Sequence, residues 1–133
     1  MAYWLIKSPF RTRTWARVVA AGRFHLYGIR NAQARQYISQ MQTGDQAVFY
    51  FQQKVWGIMR VALDPKADPT SDNSSWLAVD FEPIQTLEPP VEYQTIKSFV
   101  AFADSPLVKQ PRLSVVPLNK EQWRSISAGS GLS

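Results

Sequence analysis

Two β-rich runs, QAVFYF at 46–51 and VWGIMRVAL at 55–63, are separated by only Gln52, Gln53 and Lys54. So short a link leaves no room for a crossover helix, so the two runs pair antiparallel as a hairpin. The rest of the chain has to be built around that pair. Tyr3 to Lys7 reads as a first strand that stops at Ser8-Pro9, because proline cannot donate to a ladder. WLAVDFEPI at 76–84 puts Leu77, Val79 and Phe81 on one face and Ala78, Asp80 and Glu82 on the other. RLSVV at 112–116 divides Leu113 and Val115 from Arg112 and Ser114 in the same way. Five strands are therefore expected.

Helical signals lie between them. Thr14 can cap a helix running to about Ala21, with Gly22 just beyond it. Ala34, Tyr37, Ile38 and Met41 fall at i, i+3, i+4 and i+7. Asn31 is the natural N-cap of that stripe and Gly44, after Thr43, its stop, with Arg35, Ser39 and Gln42 on the outward face. YQTIKS at 93–98 reads as a short helix. Asn119 with Gln122 forms a capping box before a last helix. DPKADPTSDNSS at 64–75 reads as a surface loop, and SAGSGLS as a frayed tail. Strands interspersed with short helices give an α+β fold around a curled sheet. A single domain is expected over 1–127, with a flexible tail at 128–133.

Composition removes several function classes. The chain has 133 residues and no cysteine, so disulfides, thiolate metal sites and cysteine nucleophiles are out. No apolar run approaches the roughly 20 residues of a membrane span, and the opening residues lack a signal peptide, so a non-secreted protein is expected. The lone His25 has no ligand partner nearby in sequence, and the six glycines form no phosphate loop. Asp64, Asp68 and Asp72 read as solvated loop acids, since Pro65 and Pro69 forbid a helical carboxylate face. No metal or cofactor is expected. Charge is uneven: residues 1–60 hold nine basic groups against Asp45 alone, whereas 61–105 hold eight acids against two lysines. Such asymmetry suits a basic face turned to a polyanion, with the acidic 64–92 segment mostly elsewhere.

The stretch YGIRNAQARQYISQM at 27–41 concentrates the chemistry. A helix starting after Asn31 would present backbone N–H groups, flanked by Arg30 and Arg35, and Gly28 would let the backbone bend or a ligand approach. With a ring added, such as Tyr27, these parts suit a nucleotide or an extruded base. Trp4, Trp76 and Trp123 sit in strand-like or helical patterns and are assigned to the core. Spacing alone leaves an ordinary cap and a binding site both open.

Several co-linear blocks resemble the EVE domain family, within the PUA-like group that also includes the YTH RNA readers. YWLIKS resembles its opening strand and Lys-Ser motif, GIRNAQAR its Gly-Val-Arg-Asn-x-Gln-Ala-Arg signature, and GDQAVFY its Gly-Asp-x-x-x-Phe-Tyr strand. ADPT, WLAVDFEP, LVKQPRLSV and PLNKEQW follow in family order. The resemblance implies a PUA-like pseudobarrel of five or six mostly antiparallel strands with flanking short helices. It implies recognition, without catalysis, of a modified base in nucleic acid, DNA ahead of RNA, by a monomer that is cytoplasmic in a prokaryote or nuclear in a eukaryote. Carried over by position, the site residues are Ser8, Gly28, Arg30, Asn31, Gln33, Tyr50, Arg112 and Ser114, to which the local reading adds Tyr27 and Arg35. Alternatives are a nucleotide-binding protein or enzyme using the same pocket, and a protein-interaction module with a degenerate one. The chain departs from the pattern at Pro9, where the motif has an acid, at Leu26, where a tryptophan is common, and at Phe51-Gln52, where His-Ser is usual.

Overall fold

The computed structural model describes residues 1–128, so the expected tail, apart from Ala128, lies outside the described residues. Its frame is a six-stranded sheet in the order β2-β5-β4-β3-β1-β6. The strands are β1 (Tyr3–Lys7), β2 (Phe24–Leu26), β3 (Gln46–Phe51), β4 (Lys54–Ala67), β5 (Leu77–Glu92) and β6 (Val115–Leu118). Helices α1 (Trp15–Ala21), α2 (Ala32–Ile38), α3 (Tyr93–Ser98), α4 (Pro106–Lys109) and α5 (Lys120–Ser127) fill the connections, with a 3-10 turn at Val100–Phe102. Every neighbouring pair is antiparallel except β1 with β3.

The expected hairpin is present and tighter than its sequence suggested. Lys54 pairs with Phe51, which leaves Gln52 and Gln53 as the turn, at φ 52° and 61°. A two-residue turn in the left-handed region matches the strand twist, even without the usual glycine or asparagine. Between β4 and β5 the register slips four times. Each slip bends the ribbon, and together they curl the sheet.

Differences from the sequence reading have local causes. Strand β4 continues through Asp64–Ala67, inside the expected loop, because Lys66 and Ala67 pair with Ala78 and Leu77. Pro65 is tolerated there because it falls in the slip between Leu63 and Lys66. Strand β2 was not expected, since its three residues are too few to show a period. It covers β5 at Asp80, so that the expected polar face of β5 is buried at that point. His25 Nδ1 lies 2.7 Å from Asp80 Oδ1. Strand β6 starts at Val115 and not at Arg112, because the Leu113 N–H turns back to the Gln110 carbonyl. Helix α2 ends at Ile38, so Gln42 lies beyond it; Gly44, at φ 94°, turns the chain into β3.

The caps at Thr14, Asn31 and Asn119 and the capping box all form as read. Trp4, Leu5, Ile6, Phe24, Phe49 and Phe81 are buried between sheet and helices. Trp15 lies flat across β4 at Gly57, where any Cβ would penetrate the indole ring. Its Nε1 donates to the Thr86 hydroxyl at 2.8 Å, which fixes the ring. No helix among the described residues is long and apolar enough to cross a membrane.

Candidate nucleic-acid interface

The end of β1 is where distant parts of the chain meet. The Lys7 N–H donates to the Ser114 carbonyl at 2.9 Å and the Ser8 N–H to the Tyr50 carbonyl at 3.0 Å. Thus Ser8, Tyr50 and Ser114 are neighbours although they belong to three separate blocks. Lys7 reaches across with its Nζ to donate to the Pro111 carbonyl at 2.8 Å, and its ammonium sits 5.5 Å from the Tyr50 ring centre. Burial lowers the Lys7 pKa; it raises that of Tyr50, with a smaller push from Tyr93.

Next to this junction, Asn31 and Gln33 face the Gln110–Leu113 turn across a cleft of about 360 Å³ that includes Arg112. Asn31 is both cap and lining residue. Its Oδ1 accepts the Ala34 N–H at 2.9 Å, while its Nδ2 has no partner among the described residues. Gln33 is complementary: its Nε2 donates to the Tyr37 hydroxyl at 3.4 Å, leaving its carbonyl oxygen to accept. A free amide donor, a free amide acceptor and a guanidinium can together read a hydrogen-bonding edge beside an anion. The helix behind them has only seven residues, so side chains and not a macrodipole define the cleft.

Gly28, Arg30 and Arg35 are committed elsewhere, to the 68–76 loop. Gly28, at φ 77°, aims its N–H at Asp68 Oδ2, 2.7 Å away. Arg30 donates to the same oxygen at 2.9 Å and to the Thr70 hydroxyl at 3.2 Å. The other Asp68 oxygen accepts the Thr70 N–H and hydroxyl at 2.7 and 2.6 Å. Burial of Asp68 opposes its ionisation, but the bonds from Thr70, Arg30 and Gly28 outweigh that and hold its pKa well below the usual carboxylate range. Trp76 lies under both cations, its ring centre 5.7 Å from the Arg30 guanidinium and 4.7 Å from that of Arg35, which also donates to Ser75.

Three expectations are corrected here. Asp68 is not a solvated loop acid: its side chain is 0% exposed. Trp76 is not a strand residue of the core but a half-buried platform just before β5. The acidic segment does not stay clear of the N-terminal arginines, since it supplies Arg30 with its partner. Tyr27 is also engaged: its ring packs 4.8 Å from that of Phe10 and its hydroxyl accepts from Arg13 at 3.4 Å. Leu26 is fully buried in β2, where it pairs with Val79. Phe51 ends β3 beside Trp56, whose Nε1 donates to its carbonyl.

Sequence reasoning did not single out Lys7, Gln110, Asp68 or Trp76 for the site. Asp-Pro-Thr at 68–70 carried a usable signal, because an aspartate two residues before a threonine commonly accepts from its N–H. The other three depend on contacts across the sheet that no local pattern reports. Among the described residues, no three histidines, aspartates or glutamates cluster as a metal site would require.

The EVE domain profile matches residues 2–128. A solved protein of Rhodopseudomonas palustris is 31% identical, with a TM-score of 0.90 over 100% of this chain and 96% of that one. Human thymocyte nuclear protein 1 is 25% identical over 122 residues, which are 72% of this chain and 54% of that protein. The chain therefore spans about half the length of that curated relative. A structure of the human protein in complex with DNA containing 5-methylcytosine superposes with a TM-score of 0.87 at 21% identity, covering 100% of this chain and 99% of the other. The YTH domain of Zygosaccharomyces rouxii MRB1, in complex with N6-methyladenosine RNA, shares the PUA-like fold at a TM-score of 0.61 and 13% identity, covering 96% of this chain and 84% of the other.

Proposed function

This chain belongs to the EVE domain family, and on that premise we propose that it binds nucleic acid and reads a modified base in the cleft between Asn31 and Arg112. The observation that carries the reading is the pair of amides with opposite free ends, Nδ2 of Asn31 and the carbonyl of Gln33, set beside a guanidinium. A base inside a duplex cannot reach such a cleft, so it enters extruded or from a single strand. Asn31 then donates to an acceptor on the base edge, Gln33 accepts from an exocyclic amine, and Arg112 meets the adjoining phosphate. DNA is favoured over RNA because a relative of the same fold is known in complex with DNA containing 5-methylcytosine. Recognition without turnover is proposed because amides and a guanidinium bind and orient but supply no nucleophile or general base at neutral pH.

The test is a panel of oligonucleotides, single- and double-stranded, carrying cytosine, 5-methylcytosine, adenine or N6-methyladenine, titrated by fluorescence anisotropy. One modified oligonucleotide should bind at least tenfold tighter than its unmodified counterpart, about 1.4 kcal/mol. Equal affinity across every pair rules out a modified-base reader. Turnover of a free nucleotide by the purified protein would instead favour an enzyme using the same cleft.

A further inference from the structure

A second, larger cleft of about 630 Å³ runs beside α1, from Thr12 and Arg13 past Arg17 to Arg23 and His25. No acidic residue occurs before Asp45, so the segment that builds this cleft brings cations alone. We propose that the cleft is the track for the phosphodiester backbone of the strand whose base is read at Asn31, an assignment that rests on the function proposed above.

Three features separate the track from a chance cluster of solvated arginines. Arg13 is held in place: its guanidinium lies 4.9 Å from the Phe10 ring centre and 5.6 Å from that of Tyr27, whose hydroxyl it also bonds. A cation fixed in this way loses little freedom when it meets a phosphate. Neither Arg13 nor Arg17 has a carboxylate within ion-pair distance among the described residues, whereas Arg30 and Arg60 are paired with Asp68 and Glu82. At the far end the charge is again in surplus. Asp80, which is buried, faces His25 at 2.7 Å, Lys66 at 3.8 Å and Arg23 at 4.0 Å, so one negative charge meets two permanent cations and an imidazole.

The track also begins in the right place. Arg13 rests on Tyr27, and Tyr27 leads through Gly28 into the Arg30-Asn31 pair, so the first cation adjoins the segment that forms one wall of the base cleft. The seven residues of α1 span roughly 10 Å. Arg17 stands on α1, with Arg13 two residues before the helix and Arg23 two residues after it, so the three arginines bracket a length over which a strand with a phosphate about every 3.4 Å of axis passes about three phosphates.

The experiment compares wild type with the double variant Arg17→Gln/Arg23→Gln and with Asn31→Asp. Each is titrated from 50 to 200 mM salt with paired oligonucleotides, one carrying a single 5-methylcytosine and one unmodified. The double variant should lose about two units of the log K against log salt slope while keeping the wild-type ratio between the two oligonucleotides. Asn31→Asp should show the converse, a lost ratio with the wild-type slope. Thermal melts confirm that all three proteins are folded. An unchanged slope in the double variant overturns the track and leaves the base cleft standing. If wild type binds neither oligonucleotide but does bind phosphatidylserine vesicles through the same arginines, both readings fall and the cleft serves a membrane surface.

Discussion

Arg30 and Asn31 are consecutive residues at one helix start, and their side chains have opposite fates. The Arg30 guanidinium is taken up by a buried carboxylate, a threonine and a tryptophan face. Asn31 uses one end of its amide as a cap and leaves the other end in a cleft. The difference is set by Asp68, which lies 38 residues further along. Two side chains with the same apparent aptitude for an anion or a base are sorted by where the rest of the chain places a counter-charge. The arginine then shapes the wall, and the asparagine keeps an amide donor free in the cleft.

Removing Asp68 should break this contrast with the largest effect. Asp68→Ala leaves the Gly28 N–H, the Thr70 groups and Arg30 without their acceptor, and should cost about 3 kcal/mol in urea unfolding. Stability unchanged within 0.5 kcal/mol would show that the pair is ornamental. The same lock has an acid signature. The folded-state pKa of Asp68 is depressed, so its contribution is full above the unfolded value of about 3.9 and disappears as pH falls below it. Wild-type stability should therefore drop below about pH 4, and Asp68→Asn, weaker at pH 7, should show a shallower drop.

Asn31→Asp sharpens the comparison from the other side. Aspartate caps as well as asparagine, so the melting temperature should stay within about 2 °C. It cannot donate to the base edge, so affinity for the preferred oligonucleotide should fall more than tenfold. Intact affinity would reduce Asn31 to a cap. The smallest expected effect is at Arg30 itself. Arg30→Ala should change the discrimination between modified and unmodified oligonucleotides by less than threefold and leave the salt slope alone, because its guanidinium is already spoken for. A slope shallower by about one unit would return Arg30 to the phosphate-binding set.

Much of this was legible in the sequence where the signal is local. The caps at Thr14, Asn31 and Asn119 are decided by a side chain and an N–H within three residues of each other, and all three formed as read. The hairpin was equally secure, because its two runs leave no alternative connection. What could not be read locally is what long-range pairing decides. Residues 64–67 looked like a loop because Asp64-Pro65 is a turn signal, but the ladder to Leu77 and Ala78 overrides it. For the site, the sequence singled out Asn31, Gln33 and Arg112, which line one cleft, and Ser8, Tyr50 and Ser114, which meet at the end of β1 beside it without lining it. Whether each of Gly28, Arg30 and Arg35 faces that cleft or the 68–76 loop depends on Asp68 and Trp76, and no spacing rule connects those positions.

The placement of β1 between β3 and β6 has a consequence for the order of events during synthesis. Tyr3 pairs with Leu118, and Lys7 anchors to a carbonyl 104 residues later in the chain. While the ribosome is still making the middle of the protein, β1 can find β3, but its other edge stays open and Arg112 does not yet exist. The cleft is therefore among the last features to appear, closed by the strand that also seals the sheet. A chain interrupted before Leu118 would expose its basic N-terminal segment without the 110–113 wall of the cleft, so under the proposed function premature products would hold polyanions without discriminating among bases.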